Sequence, residues 1–434
     1  MLEISAATLA GCATSGTQST AKPRKVSANE KLNIACVGVG GQGQSDLRAV
    51  MHENIVALCD VDAERAKEVF ASERFASTPK YNDYRVMLEK QKDIDAVVIA
   101  IPDHMHAFVA TAAMQLGKHV YVEKPMAHSI AEVHKLAATA RQYKVATQMG
   151  NQGHSMPGVW MLCKMIDANI IGPVREVQCW TNRPSWPQGL ERPTDTPPVP
   201  ASLNWDVWLG SAQERPYNPV YLPHKWRGWW DFGCCAMGDM GCHILDAPYT
   251  SLNLGAPTKM SAETSGVNNE TGPKWSIINF EFPARGDKPA VKLTWYDGGK
   301  MPPRPEGLPD DFKLGDRDGG SLLIGEKGAI TVGTYGGGPR FLSAEQQSKW
   351  DAMAPERDEF LGHHRPWIAA CKGEKPSLSN FDYAAPFTEV VLLGNVAMRA
   401  GQPIEWDTAT KTVKNLPDAN RFVDPPYRTG WTLG

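Results

Sequence analysis

A chain of 434 residues, 42% apolar and 21% charged, is long enough for two domains that each bury a core. A net charge of −3 without any dense basic run excludes a nucleic-acid binder, and no apolar stretch is long enough to span a bilayer. Nine cysteines without CxxC spacing read as free buried thiols, and the vicinal Cys234 and Cys235 are poorly placed for a disulfide.

The N-terminus opens with a short apolar stretch (residues 4–10). Leu9-Ala10-Gly11-Cys12 has the form of a bacterial lipoprotein cleavage box, and residues 14–27 are rich in Ser, Thr, Lys and Pro. The basic region that precedes an export signal is missing. Two readings stand. A clipped twin-arginine-type signal implies a periplasmic or exported protein with a lipid anchor at Cys12; a chance match in a disordered tail leaves it cytoplasmic. On either reading, residues 1–30 are set aside from the fold.

Residues 32–37 read as a buried strand that leads into Gly38-Val39-Gly40-Gly41-Gln42-Gly43 and a helix over 44–51. A second apolar run, 55–59, ends at Asp60, 22 residues beyond Gly38. Strand, turn, helix and carboxylate in register predict a dinucleotide site. Gly38, Gly40, Gly41, Gln42 and Gly43 bring backbone and helix N-terminus to a pyrophosphate, and Asp60 accepts the adenosine-ribose hydroxyls. A carboxylate at 60 repels a 2′-phosphate and favours NAD over NADP, a preference that the neighbouring Arg65 moderates.

Helices follow over 63–70 and 84–89, then a continuous apolar strand (95–101) of the kind covered on both faces. A helix over 103–116 closed by Gly117, a strand over 119–122, a helix over 129–143 capped by Ser129 and a strand over 145–149 complete the series. Such alternation predicts a doubly wound parallel sheet in a domain covering 31–150. Its ligand crevice lies at the carboxyl ends of the strands, where Pro102, Glu123, Lys124 and Asn151 fall.

Beyond 150 the pattern changes. A helix over 156–168 and a strand over 174–180 precede an irregular segment, 182–231, rich in proline and tryptophan. Strands at 259–262, 277–282, 291–296, 321–325 and 329–332 then succeed one another, before a helix over 387–401 and a strand from 404. Succession without alternation predicts an antiparallel or mixed sheet in a second domain, 151–434, and an α/β protein overall. The long segment carries Trp180, Asn182, Arg183 and Trp186, then Trp226-Arg227-Gly228-Trp229-Trp230-Asp231. Aromatic walls with a few polar groups suit a sugar; the same composition suits a lid or a subunit interface.

At Glu123-Lys124-Pro125 the chain resembles the Gfo/Idh/MocA family of oxidoreductases, which includes sugar and inositol dehydrogenases. Four further segments carry the resemblance: the turn from Gly38 to Gly43, Ile101-Pro102-Asp103-His104-Met105-His106, Ile170-Ile171-Gly172-Pro173-Val174, and Asp239-Met240-Gly241-Cys242-His243-Ile244-Leu245-Asp246. The resemblance implies a Rossmann domain followed by an α/β domain with a large open sheet commonly used for self-association, hence a homodimer or homotetramer. It also implies that Lys124 and His243 face the nicotinamide with Asp239 beside them, and that His106 lies near the dinucleotide.

Oxidation of a secondary alcohol needs a base whose pKa lies near the working pH. Burial at a strand end is expected to push Lys124 down from its ordinary value of about 10.4. Asp239 and His243 are four apart, so on a helix the carboxylate can orient the imidazole. This makes His243 the principal acid/base, with Lys124 assisting at the same oxygen; the reverse assignment stays open. No third ligand accompanies the pair, so no metal is expected. His104 reads as a helix cap, and Asn151, Gln152 and His154 as candidates for nicotinamide or substrate.

Three functions compete. The first is an NAD-dependent dehydrogenase acting on a sugar, glycoside or cyclitol hydroxyl. The second is an NAD-dependent glycosidase working by transient oxidation, elimination and re-reduction. The third is a non-enzymatic sensor, which the Lys124, Asp239 and His243 set argues against.

Overall fold

A computed structural model of the chain describes residues 21–353, 356 and 359–433. The Cys12 box lies outside the described residues. Six strands, β1 (Asn33–Val37), β2 (Asn54–Cys59), β3 (Lys80–Tyr81), β4 (Ala96–Ile99), β5 (His119–Val122) and β6 (Thr147–Met149), form one sheet in the order β3-β2-β1-β4-β5-β6. Every pairing in it is parallel. β4 and β5 are buried at every position because helices cover both faces, which is why they read as unbroken apolar runs. The strand order reverses between β1 and β4, so the loops that leave these two strands part and open a crevice.

Local departures from the sequence reading have tertiary causes. Only Lys67–Phe70 of the expected 63–70 helix is α-helical. The Ala63 amide instead donates to the Ser202 carbonyl, and Asp62 forms a β-bridge with Leu203, so the long segment of the second domain captures the helix start. Residues 103–105 form a 3-10 turn before the helix His106–Gln115. Residues 21–30, set aside above, pack onto the fold. Arg24 donates twice to Asp95 (2.7 and 2.6 Å), and Val26 is buried.

The second sheet has nine strands: β7 (Val174–Thr181), β8 (Lys259–Thr264), β9 (Ser276–Phe282), β10 (Val291–Tyr296), β11 (Gly319–Gly325), β12 (Gly328–Gly333), β13 (Arg340–Phe341), β14 (Ile404–Asp407) and β15 (Thr412–Val413). Their order is β13-β12-β11-β7-β10-β9-β8-β14-β15. All pairings are antiparallel except β7 with β10, as expected for strands in succession. The helix Phe381–Ala400 starts six residues before the expected 387 and carries Pro386, which has no N–H to donate, in its second turn. Helices Cys235–Ile244 and Asp246–Leu252 pack beside it.

The tryptophan-rich segment is ordered around its own small core, in which Trp208, Tyr221, Trp226, Trp229 and Phe232 meet Leu203 and Leu209. The helix His364–Cys371 returns to the first sheet, where Trp367 and Ile368 join Leu32, Ile34, Val98 and Tyr121. The first core therefore draws on residues well beyond 150. The eight cysteines among the described residues are free, and none of the helices described there is long and apolar enough to cross a membrane.

Candidate active site

The glycine turn is a close backbone approach. Gly38 has φ 78°, and a Cβ there would stand 2.2 Å from the Ala100 carbonyl oxygen; one at Gly43 would stand 1.9 Å from the Gly38 oxygen. The helix Gln42–Val50 starts at Gly41 with no side-chain cap; the Gln44 amide donates to the Gly41 carbonyl (3.2 Å), and those of Gln42 and Gly43 remain available to an anion. Asp60 is fixed from behind. Its Oδ2 accepts from the Val39 amide (2.9 Å) and its Oδ1 from the Asp62 amide (3.0 Å), while burial raises its pKa. These residues fit a dinucleotide: an uncapped helix N-terminus, a turn without side chains, and a carboxylate with lone pairs to spare.

Gly38, Gly40, Gln42, Asp60 and Pro102 line one cleft. Glu123, Lys124 and Gln152 continue it from the strand ends, and Trp226, Arg227, His243 and Tyr335 close it from the second domain. Gly41, exposed, and Gly43, buried within the turn, are not part of this lining.

Lys124 donates from Nζ to Asp239 Oδ1 (2.8 Å) and to the Asp239 carbonyl (3.0 Å); Arg227 Nε donates to the same Oδ1 (3.1 Å). Burial alone would lower the Lys124 pKa, but the Asp239 carboxylate more than offsets it, and the ammonium is held above its ordinary value. The expected downward shift is thus reversed, because the partner lies on another element. Burial raises Asp239, and Lys124 followed by Arg227 outweighs it, leaving this carboxyl well below the usual range. Asp239 is hydrogen-bonded to the two cations and not to His243, contrary to the spacing argument. The His243 Nδ1 has no partner among the described residues, and its ring lies 4.7 Å from that of Tyr335. Burial first, and Lys124 second, lowers the His243 pKa to about 3, so the imidazole is neutral. Under the cleft, Glu123 accepts from Gln152 (3.1 Å) and Tyr121 (3.3 Å), and burial beside Asp46 raises its pKa well above the ordinary value.

Other expected residues lie elsewhere. His106 bridges two strand-end loops through Pro125 O (2.7 Å) and Ile101 O (2.8 Å), a clasp behind the lining. His104 does not cap the helix but bonds the Trp208 carbonyl (3.0 Å) within the aromatic core. Asn151 and His154 are buried on Asp246 (3.1 Å each), which also accepts from Tyr383. Arg183 pairs with Asp318 (3.4 Å), Asp231 pairs with Arg215, and Trp229 fills the small core. None of these lines the cleft. Tyr335 was not anticipated; its only sequence signal is an aromatic residue before Gly336-Gly337-Gly338 at the end of β12.

Residues 32–151 match the model of an oxidoreductase family, NAD-binding Rossmann fold, and residues 164–286 match that family's C-terminal alpha/beta domain. The chain belongs to the Gfo/Idh/MocA oxidoreductase family. Among its relatives, inositol 2-dehydrogenase of Salmonella typhimurium is 33% identical over 147 residues, covering 32% of this chain and only 43% of that enzyme. The 2,7-anhydro-N-acetylneuraminate hydratase of Escherichia coli is 26% identical over 78% of this chain and 83% of its own. A glycosyl hydrolase family 109 protein of Shewanella amazonensis is 34% identical over 32% of this chain and 34% of its own. In fold, this family member is similar to the WlbA dehydrogenase from Bordetella pertussis, solved with NADH and UDP-GlcNAcA. The TM-score is 0.62 at 16% identity, over 88% of this chain and 99% of that one.

Proposed function

We propose that the protein is an NAD-dependent dehydrogenase acting on a secondary hydroxyl of a sugar, glycoside or cyclitol. The observation that carries this reading is one cleft in which the glycine turn and Asp60 share a wall with Lys124, His243 and Tyr335. NAD, when bound, supplies the hydride acceptor. The Lys124 ammonium, kept charged by Asp239, polarises the carbinol oxygen and stabilises the negative charge that develops there. His243 is neutral, so its lone pair is free for the hydroxyl proton, but burial beside Lys124 leaves it a weaker base than the reaction's ideal. The Lys124 ammonium must narrow that gap in acidity by stabilising the alkoxide. Asp239 positions the ammonium, not the imidazole. Asp60 disfavours a 2′-phosphate, which makes NAD the preferred cofactor. The inositol dehydrogenase relative supports a polyol hydroxyl as the reacting group.

The purified protein is incubated with a panel of sugars, glycosides and cyclitols plus NAD, and the absorbance of reduced nicotinamide is followed. Turnover is expected, with kcat/KM for Lys124→Ala and His243→Ala each lowered by about 100-fold or more. Release of aglycone from glycosides without added NAD would favour the transient-oxidation glycosidase over the dehydrogenase, as the family 109 relative suggests. Binding of NAD without either reaction would sink both.

A further inference from the structure

The substrate end of the cleft has more positive charge than its carboxylate can neutralise. Asp239 Oδ1 is shared by Lys124 and Arg227, two cations on one anion. The neighbouring histidines carry charge only as cations and so cannot offset the excess; burial keeps His243 neutral, and burial followed by Arg227 lowers the pKa of His224. Asp103, which also lines the cleft, is pushed up by burial to about 7 and is only partly ionised near neutral pH.

Arg227 is built to use that excess. Its guanidinium lies over the Trp226 ring (4.3 Å to the centroid), which fixes its plane. Nε is committed to Asp239 and Nη1 to His224 Nδ1 (2.9 Å). Nη2 has no hydrogen bond among the described residues, and the side chain lines the cleft, about one-fifth exposed. Nη2 and the second N–H of Nη1 therefore remain for a planar anion, which an arginine binds with two parallel hydrogen bonds. Nothing in the hydride transfer proposed above requires a second cation at this place.

We infer that Arg227 binds a carboxylate of the substrate, so the sugar oxidised here is a sugar acid. This rests on the dehydrogenase reading, which it narrows to one substrate class.

The test is isothermal titration of the full-length protein, with and without saturating NAD. The ligands are D-glucuronate, D-galacturonate and D-gluconate, set against D-glucose, D-galactose and myo-inositol. At least one acid is expected to bind about tenfold or more tighter than every neutral ligand, the gain of a charge-assisted contact. Arg227→Gln is expected to erase that ratio, and Arg227→Lys, which keeps the charge without the fork, to retain part of it. Reading the ratio separates loss of anion recognition from a general loss of binding, and circular dichroism checks that the variants fold. Neutral ligands binding as tightly as the acids, no acid binding at all, or an unchanged ratio in folded Arg227→Gln would each overturn the proposal. NAD binding without an acid preference overturns this inference alone. Failure of NAD to bind overturns the dehydrogenase reading, while the titration without NAD still decides the acid preference.

Discussion

Asp103 shows how far burial can change one side chain at the edge of the cleft. Its Oδ2 accepts from the Cys234 amide (3.0 Å), and desolvation raises its pKa from 3.8 to about 7 despite the opposing pull of Arg227 and Lys124. A carboxyl raised on folding holds a proton that the unfolded chain releases between those two values. Its contribution to stability therefore falls as pH climbs from about 4 to about 7, then levels off. Asp103→Asn mimics the protonated group and can still accept from Cys234. The variant is expected to approach wild type in Tm below about pH 4 and to exceed it increasingly towards pH 8, there by the equivalent of a few kcal/mol. A constant difference across that range would show that Asp103 is ionised throughout. At this scale the sequence named Lys124, Asp239, His243 and Asp60 as neighbours of one cleft but misread their bonds. Spacing of four joined Asp239 to His243, whereas the actual partner, Lys124, lies 115 positions away. Tyr335 stayed invisible because a loop beside glycines has no periodicity to betray which side chain it delivers.

Elements were legible where local pattern and tertiary environment agree. The strands of the first sheet are apolar because both faces are covered, and Ser129 and Glu132 form the capping box that starts the helix Ile130–Tyr143. Helix Ala344–Ala352 went unread because Trp350 is its only buried residue, and His364–Cys371 because its stripe of Trp367, Ile368 and Cys371 spans too short a segment to stand out from its loops. The turn before the helix Gln42–Val50 offers a test at this scale. Glycine at 43 is required by contact: its missing Cβ leaves room for the Gly38 carbonyl, a backbone atom that cannot swing aside. Gly43→Ala must push the helix away from β1 and spoil the approach to the pyrophosphate. NAD affinity measured by tryptophan-fluorescence quenching is expected to fall by about tenfold or more, while far-ultraviolet circular dichroism stays near wild type. Unchanged affinity would mean that the helix N-terminus does not hold the phosphates.

The whole molecule is fastened by a return crossing that chain order does not announce. After the second sheet, Trp367 inserts against Tyr121 of β5 (5.7 Å between ring centroids) and is fully buried among Leu32, Ile34 and Val98. A few residues on, the Ser377 hydroxyl donates to Thr147 O (3.0 Å), and Ser379 O accepts from the Met149 amide (2.9 Å), stitching β6 to the start of the helix Phe381–Ala400. That helix packs on the second sheet, and one buried cluster runs from Val97 and Val120 of the first sheet to Phe280 and Trp295 of the second, so the cleft inherits its shape from both. Trp367→Ala removes a large side chain from the first core only, at a cost of about 3–5 kcal/mol. If the cores were independent, calorimetry would show two transitions with the earlier one alone displaced. Because β6 and the helix are bonded through residues 377–381, the substitution is expected to lower a single heat-absorption peak without splitting it. A variant whose second sheet melts at the wild-type temperature after the first has unfolded would show that the crossing joins the halves without coupling them.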